Sequence, residues 1–251
     1  MRRYDIVLFD ADNTLFDFDH AEAEALRRVT EERGYELTLE RRAVYHEIND
    51  RLWRRFDRGE ISRDWLVIER FRAYLQKLGS SADPGEMNRD YLRALGQCSV
   101  LLPGAEALCR RLKPFCRMAV LTNGITESQT GRLERSAIHD CMEALFISQA
   151  MGCQKPQREF FDQVYAAMAL TPAELERTVM VGDNLQSDIL GGINGGIDTI
   201  WYRRTGAEPD PAIRPTWEAA TLEEVGDLIL NEDEPSKKDD AGRNFSSCPA
   251  V

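Results

Sequence analysis

Asp10 and Asp12 stand two residues apart at the end of the apolar run "YDIVLF" (residues 4–9) and are followed at once by Asn13 and Thr14. An acidic side chain closing a buried strand needs a purpose, because an uncompensated carboxylate there is costly. Side chains alternate along an extended segment, so Asp10 and Asp12 project to one side while Ala11 points to the other. From such a pair, one carboxylate can attack a phosphorus atom while the other stands near the leaving oxygen. A carboxylate nucleophile divides ester hydrolysis into formation and breakdown of an aspartyl-phosphate. The neighbouring acid gives a proton to the leaving group and then removes one from the incoming water.

Three further polar groups close apolar runs in the same way. "TNG" (Thr122, Asn123, Gly124) follows "RMAVLT", Lys155-Pro156 comes shortly after "LFIS", and "GDNLQSD" (residues 182–188) follows "TVMVG". If the strands are parallel, all four groups converge, since ligands in an open parallel sheet sit outside the carboxyl ends of the strands. Asp10, Asp12 and Asp183 crowded together would repel one another, so a cation is expected among them. Hard oxygen ligands with open positions for water suit Mg²⁺. Thr122 and the backbone N–H groups near Asn123 and Gly124 can hold phosphate oxygens, and Lys155 adds positive charge and offsets the carboxylates.

The elements that must position these groups follow from periodicity. The runs at residues 4–9, 117–122, 145–148, 178–182 and 197–201 are apolar on both faces, as central parallel strands are. Helical segments such as "ESQTGRLERSAI" and "QREFFDQVYAAMAL" lie between them, which predicts an α/β fold with a doubly wound parallel sheet. One interval breaks the alternation. From about Asp17 to Val100 only helical periodicity is seen, with Phe71, Tyr74, Leu75 and Leu78 on one face and Gly34 as a C-cap. The division expected is therefore a core of residues 1–16 and 101–230, a helical cap of residues 17–100 inserted after the first strand, and a tail of residues 231–251. The tail is polar and without period, so disorder is expected there.

The glycines of "GGINGG" match no dinucleotide or P-loop fingerprint and are expected to allow close helix packing and a tight turn. Trp53, Phe56, Trp65, Phe71 and Tyr74 are expected mostly as packing of the helical insert, the alternative being an aromatic that stacks on a ring of the ligand above the site. Phe16 and Phe18 are placed at the hinge, either closing over substrate or packing there. His20, His46 and His139 form no site and are expected at the surface or in structural roles.

Composition narrows the classes. The 251 residues carry a formal charge of −11, which argues against a nucleic-acid polymer or a membrane surface as partner. A small anionic substrate stays open, because a metal ion and a few local cations can dominate one pocket. The six cysteines include no CxxC pair, no apolar run approaches a membrane span, and the N-terminal run is broken by Asp10. A cytoplasmic protein with free thiols is expected.

Taken together, the four groups resemble the motifs of the haloacid dehalogenase superfamily of phosphohydrolases. Its DxDx[TV] motif is matched by Asp10, Asp12 and Thr14, its Ser/Thr motif by Thr122, its Lys by Lys155, and its GDxxxxD motif by Gly182, Asp183 and Asp188. The resemblance implies a Rossmann-like core with a cap, Asp10 as nucleophile and Mg²⁺ ligand, and Asp12 as acid/base with its carbonyl on the metal. It further implies Asp183 as the acidic ligand and Asp188 as a carboxylate bracing that loop. "FDADNTLFDFD", "LTNGITESQTGRLERS" and "VMVGDNLQSDILGGINGGIDTIW" are similar to the YjjG-type pyrimidine nucleotidases, which act on nucleoside 5′-monophosphates such as UMP and dTMP. Asn13 departs from the Glu or Gly usual in that group, at a position on the turn. A sugar-phosphate or other small-metabolite phosphatase keeps every one of these residues and is the alternative. A dehalogenase lacks an acid at the position of Asp12, and a non-catalytic binding protein would have lost a nucleophile or a ligand.

Overall fold

The computed structural model describes residues 3–204 and 206–231. Six strands form one sheet: β1 (Ile6–Asp10), β2 (Arg117–Thr122), β3 (Ala144–Ile147), β4 (Thr178–Gly182), β5 (Asp198–Tyr202) and β6 (Trp217–Ala219). Every pairing is parallel and the order is β3-β2-β1-β4-β5-β6. The order reverses at β1, between β2 and β4, and this topological switch point opens the crevice in which such sheets bind ligands. The helices are α1 (Phe18–Glu31), α2 (Leu39–Asp57), α3 (Arg63–Leu78), α4 (Pro84–Gln97), α5 (Ala105–Leu112), α6 (Thr126–Glu134), α7 (Ser148–Met151), α8 (Arg158–Ala167), α9 (Pro172–Leu175), α10 (Leu190–Gly195) and α11 (Leu222–Leu230).

Burial of the sheet on both faces explains why its strands read as unbroken apolar runs. Val7 and Phe9 of β1, with Val120, Val181 and Ile200, pack against Leu108 and Leu112 of α5 and Val225 and Ile229 of α11. The alternate residues Ile6 and Leu8, with Leu121 and Met180, pack on the other face against Phe160, Phe161 and Val164 of α8. The strand β6 was not among the expected ones. It has three residues, Glu218 at its centre is exposed, and its register is held by reciprocal backbone-to-hydroxyl bonds between Thr199 and Thr216 (both 3.0 Å). The glycines of residues 191–196 lie where expected. A Cβ at Gly192 would meet Thr199 at 2.5 Å, and one at Gly195 would meet the Tyr165 hydroxyl at 2.6 Å.

The helices α1 to α4 form the inserted unit, each entered through a capping side chain: Asp17, Thr38, Ser62 and Asp83 accept from the first-turn N–H groups. Leu26, Tyr45, Leu66, Phe71, Tyr74, Met87 and Tyr91 make its core. Most of the aromatics expected to pack do so: Phe56, Phe71 and Tyr74 are buried and the half-buried Trp53 packs against this core, whereas Trp65 is exposed. Gly34 follows α1 with φ +81° and its N–H reaches Glu31 O at 2.9 Å.

The two connections to the insert run side by side. Phe16 and Leu101 form an antiparallel bridge, Asp17 N donates to Val100 O (3.0 Å), and Leu102 N donates to Leu15 O (2.9 Å). Beyond them α4 rests on α6 so closely that a Cβ at Gly131 would lie 2.8 Å from Gly96 O. Apart from Asn231, which caps α11 in the left-handed region, the tail expected to be disordered lies outside the described residues.

Candidate active site

All four polar groups meet at the carboxyl edge of the sheet. Asp10 ends β1, Thr122 ends β2, Asp183 follows β4, and Lys155 arrives from the loop after α7. Lys155 is buried to 1% exposure and is the hub. Its Nζ donates to Asp10 Oδ1 (2.6 Å), to Leu121 O (2.7 Å), and pairs with Asp188 Oδ1 at 2.8 Å. Asn123 fixes the backbone of that lysine: its Oδ1 accepts from Lys155 N (3.0 Å) and its Nδ2 donates to Lys155 O (2.9 Å). The Thr122 hydroxyl accepts from Gly124 N at 3.0 Å, which turns the loop over the edge of β2.

One oxygen each from Asp10, Asp183 and Asp188 lies within 4.8 Å of the others. Burial, followed by the Asp188 charge, raises the pKa of Asp10 although Lys155 opposes the shift. Burial and the Asp10 charge raise Asp183 well above the usual carboxylate range. Burial alone would lower Lys155, but Asp10 and Asp188 more than compensate and raise it. Three carboxylates against a single lysine leave negative charge in excess, and an all-oxygen donor set suits a hard divalent cation. The loop is built for this. The Asp188 side chain folds back over Gly182, where a Cβ would sit 2.3 Å from its Oδ2, and it accepts from Asn184 N at 3.0 Å. Asp183 is held through its backbone, donating from N to Thr14 Oγ1 (3.1 Å) and accepting on O from Trp201 Nε1 (2.8 Å).

Asp12 occupies a different environment from Asp10. Its Oδ2 accepts from Gln129 Nε2 at 2.6 Å, and its Oδ1 pairs with Arg132 Nη1. Arg132 is fully buried. It also donates from Nε to Cys98 O (3.2 Å), and its guanidinium lies 4.8 Å from the Phe16 ring and 5.8 Å from that of Phe18. Gln129 and Arg132 were not among the expected site residues, although their i, i+3 spacing places both on one face of α6. Asn13 turns the chain between the two aspartates and the insert with φ +63°, a conformation asparagine tolerates better than most residues. That is a physical reason for its departure from the expected motif.

Above the carboxylates lies a cavity of 410 Å³, roofed by the insert through Phe18, His46, Asn49, Trp53 and Arg70. His46 had been expected at the surface or in a structural role. It is half exposed, but it also lines this cavity and bonds through Nδ1 to Glu22 at 3.0 Å. Phe16 packs in the core, whereas Phe18 faces the cavity.

A family model of haloacid dehalogenase-like hydrolases matches residues 4–196. The chain belongs to this family. It is 37% identical to the HAD-hydrolase YfnB of Bacillus subtilis over 91% of this chain and 97% of that one. It is 34% identical to the pyrimidine 5′-nucleotidases YjjG of Escherichia coli and PynA of Streptococcus pneumoniae, over 90% of this chain and 98% and 95% of theirs. The crystal structure of YfnB bound to magnesium superposes with a TM-score of 0.85 at 36% identity, covering 91% of this chain and 99% of that one. The parallel sheet, the helical cap and the hydrolase class of the haloacid dehalogenase-like proteins are thus those of this chain. Members of the superfamily generally use a divalent metal, in agreement with the carboxylate cluster. Among the described residues no helix is long and apolar enough to cross a membrane.

Proposed function

We propose that the protein is a Mg²⁺-dependent phosphomonoesterase that hydrolyses nucleoside 5′-monophosphates, pyrimidine ones preferred, in the cytoplasm. The observation that carries this reading is the pairing of a buried, lysine-held carboxylate (Asp10) with a second carboxylate (Asp12) two residues on, beneath a cavity roofed by the cap. The names of YjjG and PynA support the nucleotide class, and the magnesium-bound YfnB structure supports the metal. Residues 1–16 and 101–230 serve as the catalytic core and residues 17–100 as the cap in this proposal.

The Asp10 carboxylate attacks phosphorus, forming the acyl phosphate as the bond to the ester oxygen breaks. Asp12 gives its proton to that oxygen, and the nucleoside leaves neutral. Water then attacks the same phosphorus, Asp12 takes its proton, and the bond to Asp10 breaks to release inorganic phosphate and restore both carboxyl groups. The Thr122 hydroxyl and the Asn123 N–H hold the non-reacting phosphate oxygens, and Lys155, whose three donors go to Asp10, Asp188 and Leu121 O, adds positive charge beside them. Asp10 and Asp183, with the Asp12 carbonyl, would hold Mg²⁺, and Asp188 braces the loop. When bound, the ion offsets carboxylate repulsion and supplies positive charge for the phosphate.

The test is phosphate release from UMP, dUMP, dTMP, AMP, GMP and several sugar phosphates. Preference for the pyrimidine monophosphates is the expected result, and activity confined to sugar phosphates would retain the chemistry while overturning the nucleotide assignment. Chelation with EDTA should silence the enzyme and Mg²⁺ restore it. The carboxyl shifts add a stability signature. Asp10 and Asp183, raised by burial, keep their protons in the folded state at pH values where unfolded carboxyls, titrating near about 4, have lost theirs. The folded form then binds more protons, so the metal-free protein loses stability as pH rises from about 4 through the folded pKa values. Thermal melts in EDTA should fall over that range and flatten when Mg²⁺ is added; parallel curves would remove the ion from the carboxylate cluster.

Arg132 and Gln129 are expected to orient Asp12. Arg132→Ala should lower kcat/KM for nucleotides by roughly 100-fold, at the lower end of what a positioned acid contributes. The loss on p-nitrophenyl phosphate should be much smaller, because a nitrophenolate departs without a proton. Equal losses on both esters would make Arg132 a packing residue only.

A further inference from the structure

The cap wall of the cavity holds a buried cation that the phosphate chemistry does not use. Arg70, on α3, lines the cavity and is 3% exposed. Its Nη1 donates to Asn49 Oδ1 (3.3 Å) and its Nη2 to Asn88 Oδ1 (2.9 Å), both neutral acceptors, while its Nε has no hydrogen-bond partner. The guanidinium lies 4.7 Å from the Tyr91 ring and 5.0 Å from that of Phe71. Glu22, the carboxylate of this network, is occupied elsewhere, accepting from Asn49 Nδ2 (2.9 Å) and meeting His46 Nδ1 (3.0 Å). A guanidinium buried in a helical bundle among amide oxygens and aromatic rings is a costly choice for stability alone, since apolar residues of like volume commonly do as well or better. Glu22 is near enough to feel its charge, but the two hydrogen bonds of Arg70 go to neutral amide oxygens and fix its donors in direction, an arrangement suited to an acceptor that arrives with a ligand.

The surroundings say what kind of acceptor. Trp53 and Phe18 present flat apolar surfaces to the same cavity, as a planar ring requires. Asp19 and Asp50 also line it, and their charges disfavour a second anionic group such as another phosphate or a carboxylate. A neutral planar ring bearing carbonyl oxygens meets all of these conditions. Asn49 and Trp53, four apart on α2, share a helix face and so bring the arginine's support and the apolar surface to one wall.

We propose that Arg70, aligned by Asn49 and Asn88, is the specificity-determining residue for the leaving group, donating to a ring carbonyl of a neutral heterocyclic base that lies against Trp53. The inference rests on the phosphomonoesterase reading and assigns its substrate preference to one side chain. Asn49 and Asn88 act as positioning residues.

The experiment compares kcat/KM for UMP with that for ribose 5-phosphate, which carries the same phosphate and sugar without the base. It uses the full-length protein with Arg70→Met, Arg70→Lys and Trp53→Leu. The ratio of the two values should fall roughly 10- to 100-fold in Arg70→Met, the scale of one lost charge-assisted hydrogen bond, and mostly through KM for UMP. Arg70→Lys, which keeps the buried charge should the methionine variant not fold, should lose about tenfold because an ammonium lacks the planar fork. Trp53→Leu, at a half-buried position, should lower the ratio several-fold. Losses in equal proportion on both substrates, leaving the ratio unchanged, would overturn the inference and make the network structural. A wild-type enzyme that does not prefer UMP over ribose 5-phosphate would instead overturn the nucleotidase reading. A preference for UMP that survives in every variant sinks the Arg70 assignment alone.

Discussion

Asp10→Asn is expected to abolish phosphate release while leaving the fold in place. The amide is nearly isosteric with the carboxyl, can still accept from Lys155 Nζ, and removes one charge from a cluster in which carboxylates outnumber the lysine. Loss of a nucleophile costs roughly 10⁴- to 10⁶-fold in kcat where the remaining groups still bind and polarise the substrate. Stability should move in the opposite sense. With less repulsion and less desolvated charge, the variant should melt higher than the metal-free wild type and respond less to Mg²⁺. Single-turnover assays with phosphate detection, paired with thermal melts, read both effects. Near-normal turnover would reassign the nucleophile, and a collapse of the melt would show that the acid is needed for folding.

The second large effect is expected at Lys155. Its Nζ meets Asp10, Asp188 and the Leu121 carbonyl at 2.6–2.8 Å with 1% of the residue exposed, so no water can take its place without rearrangement. Lys155→Met leaves two buried carboxylates unpaired, and removing one partner of a buried pair destabilises by about 3–5 kcal/mol. Urea unfolding should show that loss, and activity should disappear with it. The double variant Lys155→Met/Asp188→Asn separates the two consequences. Removing one of the stranded carboxylates should recover much of the stability, and activity should stay absent because the phosphate has lost its buried cation. If the double variant is no more stable than the single one, the lysine is not the counter-charge of this site.

The sheet and its polar edge are legible in the sequence for one reason. Strands covered on both sides are apolar through most of their length, so the polar groups at their carboxyl ends, Asp10, Thr122 and the Gly182–Asp183 step, stand out. The edge strand β6 lacks that contrast, with Glu218 pointing outward in a run of three residues. Arg132 lacks it too. Within "GRLERS" it reads as a solvated helix residue, whereas in the fold it is completely buried against Phe16, Phe18 and Cys98, which lie at the two ends of the insert and are distant in sequence. The cap wall is hidden in the same way. His46, Asn49 and Trp53 recur at i, i+3 and i+7 on α2, an ordinary amphipathic pattern until Glu22, Arg70 and Asn88 from three other helices are brought against it. Local periodicity locates elements, whereas a residue buried by remote partners carries no local mark.

The paired connections at Phe16–Leu101 bear on how such enzymes diversify. The chain leaves and returns through neighbouring, hydrogen-bonded positions, so the core meets the insert as it would meet the ends of a hairpin. The entropy of closing a loop grows only logarithmically with its length, and the junction is therefore nearly indifferent to the size of what it tethers. On the proposed reading, the module carried there can be exchanged, altering which molecules are turned over, while the sheet edge assigned to phosphate stays fixed. Reaction and clientele can then change separately.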